Sequence, residues 1–228
     1  MTHPPGASEA KTPAGRRRDP KGTRDRLVRA ALELFTTQGY HTSTTPEIAA
    51  KAGVAEGTIY RHFASKEQML NEIYRAGVRV FTGIVRETPA GLACAERLER
   101  IAAGWREVAV RNPSLVRLVF VSRLRSLLDP RSRDAAKELR EEVEKLIASG
   151  KAAGLVRPGA VEVWADIWLQ LIGLMLERVA NKEWTPDQAA PRLAVESAWA
   201  AIAAPSAVSG PPPTSPPTSP QEHPAAGA

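Results

Sequence analysis

The chain has 228 residues, of which 43% are hydrophobic and 25% charged; its formal net charge is +6 and it holds one cysteine, Cys94. That composition fits a globular chain with room for a sizeable core and excludes fibrous and largely disordered classes. A lone cysteine excludes an internal disulfide, no Cys/His cluster has zinc-ligand spacing, and no apolar run reaches the roughly 18 to 20 residues that span a bilayer; a cytoplasmic protein without metal, cofactor or membrane contact is expected.

Residues 1–20 mix Pro, Gly, Ala and Arg with almost no large apolar side chain and predict a disordered basic arm. Its Arg16-Arg17-Arg18 run suits either contact with nucleic-acid phosphates and the minor groove or simple solubilisation. Residues 205–228 are rich in Pro, Ser, Thr and Ala and predict a disordered tail. The segment between them predicts an all-α fold.

Leu27, Ala30, Ala31, Leu34 and Phe35 form one stripe of a first helix, with Thr23 able to cap it and Gly39-Tyr40 placed to end it. Thr44 and Glu47 form a T-x-x-E capping box for a second, short helix, with Pro46 in its first turn and Gly53 at its end. A third helix is expected from Ala55 or Glu56 to His62. Ser65 and Gln68 form another capping box for a longer helix closed near Thr88-Pro89. Apolar stripes then predict helices over 92–110, 115–128 and 136–147, punctuated by Asn112-Pro113, Asp129-Pro130 and Arg157-Pro158-Gly159. The most apolar helix spans about 161–180, with Glu162, Asp166, Gln170, Gly173 and Glu177 on one polar stripe. A last helix is expected from about Thr185 to Ala203, kinked by Pro191.

The run from Thr44 to Phe63 carries the functional signal. Ala49 lets two helices approach, Gly53 permits a tight turn, and Ile48, Val54, Ile59 and Phe63 supply a shared core, the steric pattern of a helix-turn-helix. Glu56, Gly57, Thr58, Tyr60, Arg61 and His62 are left facing outward with Lys66 following at the start of the next helix, and hydroxyl, imidazole and ammonium donors of this kind bind phosphate oxygens while Thr58 or Arg61 can reach base edges.

Across Thr23–Leu70 the sequence resembles the DNA-binding domain of the tetracycline-repressor (TetR) family. The matching residues are Gly39-Tyr40, Thr44, Ile48-Ala49, Ala52-Gly53-Val54, Gly57-Thr58-Ile59-Tyr60-Arg61-His62-Phe63 and Ser65-Lys66-Glu67. The resemblance implies an N-terminal three-helix DNA-reading head over 21–66 joined to a larger C-terminal ligand-binding and dimerisation domain over 67–204. It further implies a homodimer formed through the last two helices, a palindromic operator, and a small-molecule effector that releases a repressor from it. The family's DNA contacts map onto Thr44, Thr45, Gly57, Thr58, Tyr60, Arg61, His62 and Lys66. Two positions depart from the family pattern. Ala55 replaces a serine cap, which removes one hydrogen bond from the third helix. Glu56 stands where a cation is common, and can read cytosine N4, repel phosphate, or favour the helix dipole.

No effector motif carries over beyond the head. Trp105, Phe120, Leu124, Trp168, Leu171 and Met175 are the candidate pocket residues, with ordinary core packing as the alternative for each. Arg117, Arg123 and Arg125 can either neutralise an acidic effector or pair with acids on neighbouring helices. A helix-turn-helix protein without a small ligand is the alternative function. An enzyme is not expected: there is no phosphate-binding glycine loop, and of the four histidines His3 and His223 lie in the arms and His62 on the recognition helix.

Overall fold

The computed structural model describes residues 20–122 and 124–205. The arm with Arg16-Arg17-Arg18, its His3, the tail beyond Pro205 with His223, Arg123, and the side chain of Arg125 lie outside the described residues. The described chain is all-α, with nine α-helices and no strand apart from one isolated bridge between Val156 and Ala203. It divides into two compact units between Ile73 and Tyr74, inside a single helix.

The first unit holds α1 (Pro20–Thr37), α2 (Thr45–Ala52), α3 (Glu56–Ile59) and the start of α4 (Lys66–Glu87). Leu27, Ala31, Leu34 and Phe35 of α1 are buried, as are Ile48 and Ala49 of α2, Ile59, Phe63, and Met69, Leu70 and Ile73 of α4. The α1 stripe and Ile48, Ile59 and Phe63 of the expected shared core are thus buried together with the first turns of α4, and this common burial makes the helices a unit. Helix α1 already includes Pro20, so Thr23 lies inside the helix instead of capping it. Gly39 ends it with φ of 95°, and the following Tyr40 ring packs 5.3 Å from Phe35. Helix α3 is regular only to Ile59; His62 and Phe63 still donate to the Ile59 carbonyl, so the chain to His62 continues as turns.

The second unit contains the rest of α4, α5 (Cys94–Arg111), α6 (Pro113–Val116), α7 (Pro130–Ala152), α8 (Val161–Ala180) and α9 (Ala189–Ile202). Helix α8 packs against α5, α7 and α9 and is the centre of the unit. Its fully buried Trp168 meets Trp105 at 5.7 Å, and Trp105 meets Phe81 at 5.8 Å and Phe120 at 5.4 Å. The Trp105 indole N–H donates to the Phe81 carbonyl at 3.1 Å, which satisfies that buried polar atom.

Three sequence expectations change here. The stripe over 115–128 is not one helix: α6 passes into a π-helical turn over Arg117–Val121 and, further on, a 3-10 turn over Arg125–Leu127. Ser122 closes the π turn, with both its N–H and its hydroxyl donating to the Arg117 carbonyl at 2.8 Å, a local competition that periodicity does not register. Helix α9 starts at Ala189 instead of Thr185, which puts Pro191 in the first turn, where it needs no N–H and makes no kink. Arg117 is committed to the end of α8, donating to Asn181 Oδ1 at 3.0 Å and the Ala180 carbonyl at 2.7 Å, so it caps a helix instead of facing an effector.

Helices α5 and α7 approach through Gly150, where an added Cβ would lie 2.5 Å from Cys94 Sγ and 2.9 Å from Cys94 Cβ. Burial pushes the Cys94 thiol up to about 11, which leaves it a packing residue. Gly150→Ala is expected to destabilise the protein by about 1–3 kcal/mol through overpacking. In denaturant unfolding, adding Cys94→Ala should recover part of that loss; equal loss in the single and double variants would show that this contact is not what sets the helix spacing.

Candidate nucleic-acid interface and effector cavity

In the first unit, the chain between α1 and α2 delivers Thr44, which has extended backbone and caps α2. The Glu47 N–H meets the Thr44 hydroxyl oxygen at 3.4 Å, while the Thr44 N–H and hydroxyl donate to the Glu47 carboxylate at 2.8 and 2.9 Å. These bonds hold the Glu47 carboxyl below its ordinary value of 4.5, the hydroxyl contribution being the larger. Helix α2 then ends at Gly53, whose φ of 66° is left-handed.

The left-handed turn at Gly53 brings the chain into α3. Four residues of helix have no stability of their own; Ile59 at 0% and Phe63 at 1% exposure anchor the stub on both sides of Tyr60-Arg61-His62. Tyr60 is therefore 56% exposed, Arg61 is exposed and His62 half-buried. The Tyr60 hydroxyl lies 3.1 Å from that of Thr45, which joins the first turn of α2 to the stub. Gly57 is exposed, and a Cβ there would meet nothing within 4 Å, so no packing inside the unit calls for a glycine. Ala55 makes no side-chain cap, and exposed Glu56 sits in the first turn of α3.

Thr44, Thr45, Gly57, Thr58, Tyr60, Arg61 and His62 thus come from the start of α2 and the α3 stub. Lys66 takes another position. Its ammonium donates to the carbonyls of Tyr40 and Ser43 at 2.8 and 2.7 Å and lies 4.3 Å from the centre of the Tyr40 ring. It fastens the loop that presents Thr44, a contact invisible in sequence because its acceptors are backbone oxygens more than twenty residues away. Arg24 is similarly committed, paired with Glu72 and stacked 4.9 Å from the Phe63 ring. At the start of α4, Ser65 accepts from the Gln68 N–H at 3.0 Å, but the Gln68 side chain returns to the Ala64 N–H at 2.6 Å, one residue before the position a capping box would use.

The second unit holds a cavity of about 1220 Å³ lined by α4, the segment after α6, α7 and α8. Phe120 and Leu124 line it. Trp105 and Met175 are fully buried core outside its lining, Leu171 is half-buried on α8, and Trp168 borders a separate space of about 300 Å³ with Leu98 and Trp199. The polar stripe of α8 faces the large cavity through Asp166, Gln170, Gly173 and Glu177. Among the described residues no group of three or more His, Cys, Asp or Glu side chains is placed to hold a metal ion, and no helix is long and apolar enough to cross a membrane.

A depressed carboxylate contributes fully above its ordinary pKa and loses that contribution as pH falls through its folded value. The α2 cap should therefore weaken from about pH 5 downward. Glu47→Gln is expected to flatten this acid limb when unfolding is followed by circular dichroism across pH; an unchanged limb would place the acid sensitivity elsewhere.

Residues 27–73 match the family model described as bacterial regulatory proteins, tetR family. The HTH-type transcriptional regulator TcmR of Streptomyces glaucescens is 41% identical over 87 residues, which cover 37% of this chain and 38% of that protein. The HTH-type transcriptional repressor KstR2 of Rhodococcus jostii is 30% identical over 170 residues, 74% of this chain and 78% of the relative. The crystal structure of a tetR family transcription regulator from a Shewanella species superposes with a TM-score of 0.66 at 25% identity, over 80% of this chain and 98% of that one. A helix-turn-helix joined to a helical second unit, matched to a repressor along most of both chains, establishes that the chain belongs to the TetR family of bacterial regulatory proteins.

Proposed function

We propose that this protein is a homodimeric transcriptional repressor that holds a palindromic operator through its helix-turn-helix and is released by a small molecule bound in the cavity of its second unit. The observation that carries the DNA-binding half is the α3 stub: Tyr60 and Arg61 exposed between buried Ile59 and Phe63, beside a Gly57 that nothing inside the unit requires. Thr45, Thr58, Tyr60 and His62 donate to phosphates, Arg61 and Thr58 reach base edges, and Thr44, whose N–H and hydroxyl are held by Glu47, sets the start of α2 against the duplex. Lys66 serves by fixing the Thr44 loop through its two carbonyl acceptors. Two-fold symmetry places the stubs in successive major grooves about 34–36 Å apart or slightly more.

Exposed Val163 and Leu174 on α8 and Leu193 on α9 are the apolar side chains expected to meet a second copy. The naming of the Rhodococcus relative as a repressor supports repression over activation. The cavity favours a small effector over control by a protein partner alone. An effector that prefers a state with more widely spaced heads lowers operator affinity by its differential affinity for the two states.

Footprinting of the full chain on the DNA upstream of its own gene is expected to show one protected palindrome. On that site, Arg61→Ala should weaken binding and reduce the salt slope of log K by about one, the signature of a lost phosphate or base cation. Lys66→Met should weaken binding with the slope unchanged, since its charge is spent inside the protein. A slope reduced equally by both would assign Lys66 to phosphate, and no protection anywhere would remove the repressor reading.

A further inference from the structure

Within the proposed effector cavity, the chemistry of the wall narrows the ligand class. At about 1220 Å³ the space exceeds the ~300–1,000 Å³ of pockets that hold drug-sized ligands, so it suits a large body. Val78, Phe120, Leu139 and Leu169 from four parts of the chain present apolar wall to it. Its charges are mostly spent. Arg140 is held by Glu144 at 2.8 Å and Asp166 at 2.7 Å, and Lys137 by Glu141 at 3.4 Å. Glu177, also in the lining, makes no ion pair among the described residues, since Arg178 pairs with Glu183.

Arg133 differs. It lines the cavity from the first turns of α7, donates to the Leu128 carbonyl, and has no carboxylate within ion-pair distance among the described residues. A guanidinium carries five N–H donors in a planar fork that matches a carboxylate. Most of that fork is open.

We propose, resting on the effector reading above, that the cavity takes a carboxylate borne on a large hydrocarbon skeleton, with the carboxylate on Arg133 and the skeleton against Val78, Phe120, Leu139 and Leu169. Glu177 selects against a second anionic group on the ligand. Gly173 lies in the lining on α8, and a Cβ there would meet nothing within 4 Å.

The test is calorimetric titration of the full chain with dodecanoate, dodecanol and dodecyltrimethylammonium, each below its critical micelle concentration. Dodecanoate is expected to bind about tenfold or more tighter than either of the others, the value of a charge-assisted hydrogen-bonded pair. Arg133→Gln should reduce dodecanoate to the level of dodecanol. Gly173→Phe should abolish binding of all three, with the melting temperature and the oligomeric mass of the parent retained. Equal or tighter binding of the ammonium, a carboxylate preference that survives Arg133→Gln, or no binding of any probe would overturn the proposal. Operator affinity of the same ligand-free preparation, measured in parallel, stands or falls independently and separates a wrong ligand class from a wrong repressor reading.

Discussion

Burial of Ile59 and Phe63 is the constraint on which the head depends. A helix of four residues cannot hold its own shape in water, because nucleation fixes more dihedral angles than so few hydrogen bonds offset. Its geometry is borrowed from the two apolar anchors and from the left-handed turn at Gly53. The anchors lie four residues apart on one face, so Tyr60 and Arg61 between them turn outward while His62 stays half-buried. Exposure of Tyr60 is in this sense a packing result, and the chemistry presented to solvent follows from what the core requires.

The loop leading into α2 is governed differently, by polar contacts. Thr44 and Glu47 close the start of α2 on each other, and Lys66 ties the carbonyls of Tyr40 and Ser43 together from the start of α4. Each contact satisfies backbone groups that a helix start or an irregular loop leaves open. Together they fix Thr44 and Thr45 beside the stub without a large core beneath them, and the Thr45–Tyr60 hydroxyl pair marks where the two parts join.

Features written in local chemistry were legible in the sequence: the Thr44/Glu47 box, the glycine stops at Gly39 and Gly53, the limits of α8 at Val161 and Ala180, and the opposite charges at Lys137/Glu141 and Arg140/Glu144. What depends on distant partners was not. The π turn at Arg117–Val121 sits inside an apolar stripe that reads as uninterrupted helix, and only the tertiary placement of Phe120 against Phe81, 4.9 Å away, shows its use. Likewise Trp105 and Met175 have the size and spacing of pocket residues but lie outside the large cavity, and Trp168 borders the smaller space, because α8 turns its aromatic face to α5 and its polar stripe to the large cavity. Arg133 gave no signal of its own; its interest arises from the acids that α7 and α8 supply to its neighbours and not to it.

The most direct check of the central claim uses the tyrosines as reporters. Acetylation of the Tyr60 hydroxyl, followed by peptide mass spectrometry, is predicted to be fast in the free protein, where Tyr60 is 56% exposed and Tyr74 only 7%. It is predicted to be suppressed by saturating operator duplex. Tyr60 modified at the same rate with and without bound duplex would contradict the account, since the α3 stub could then not be the surface that meets DNA.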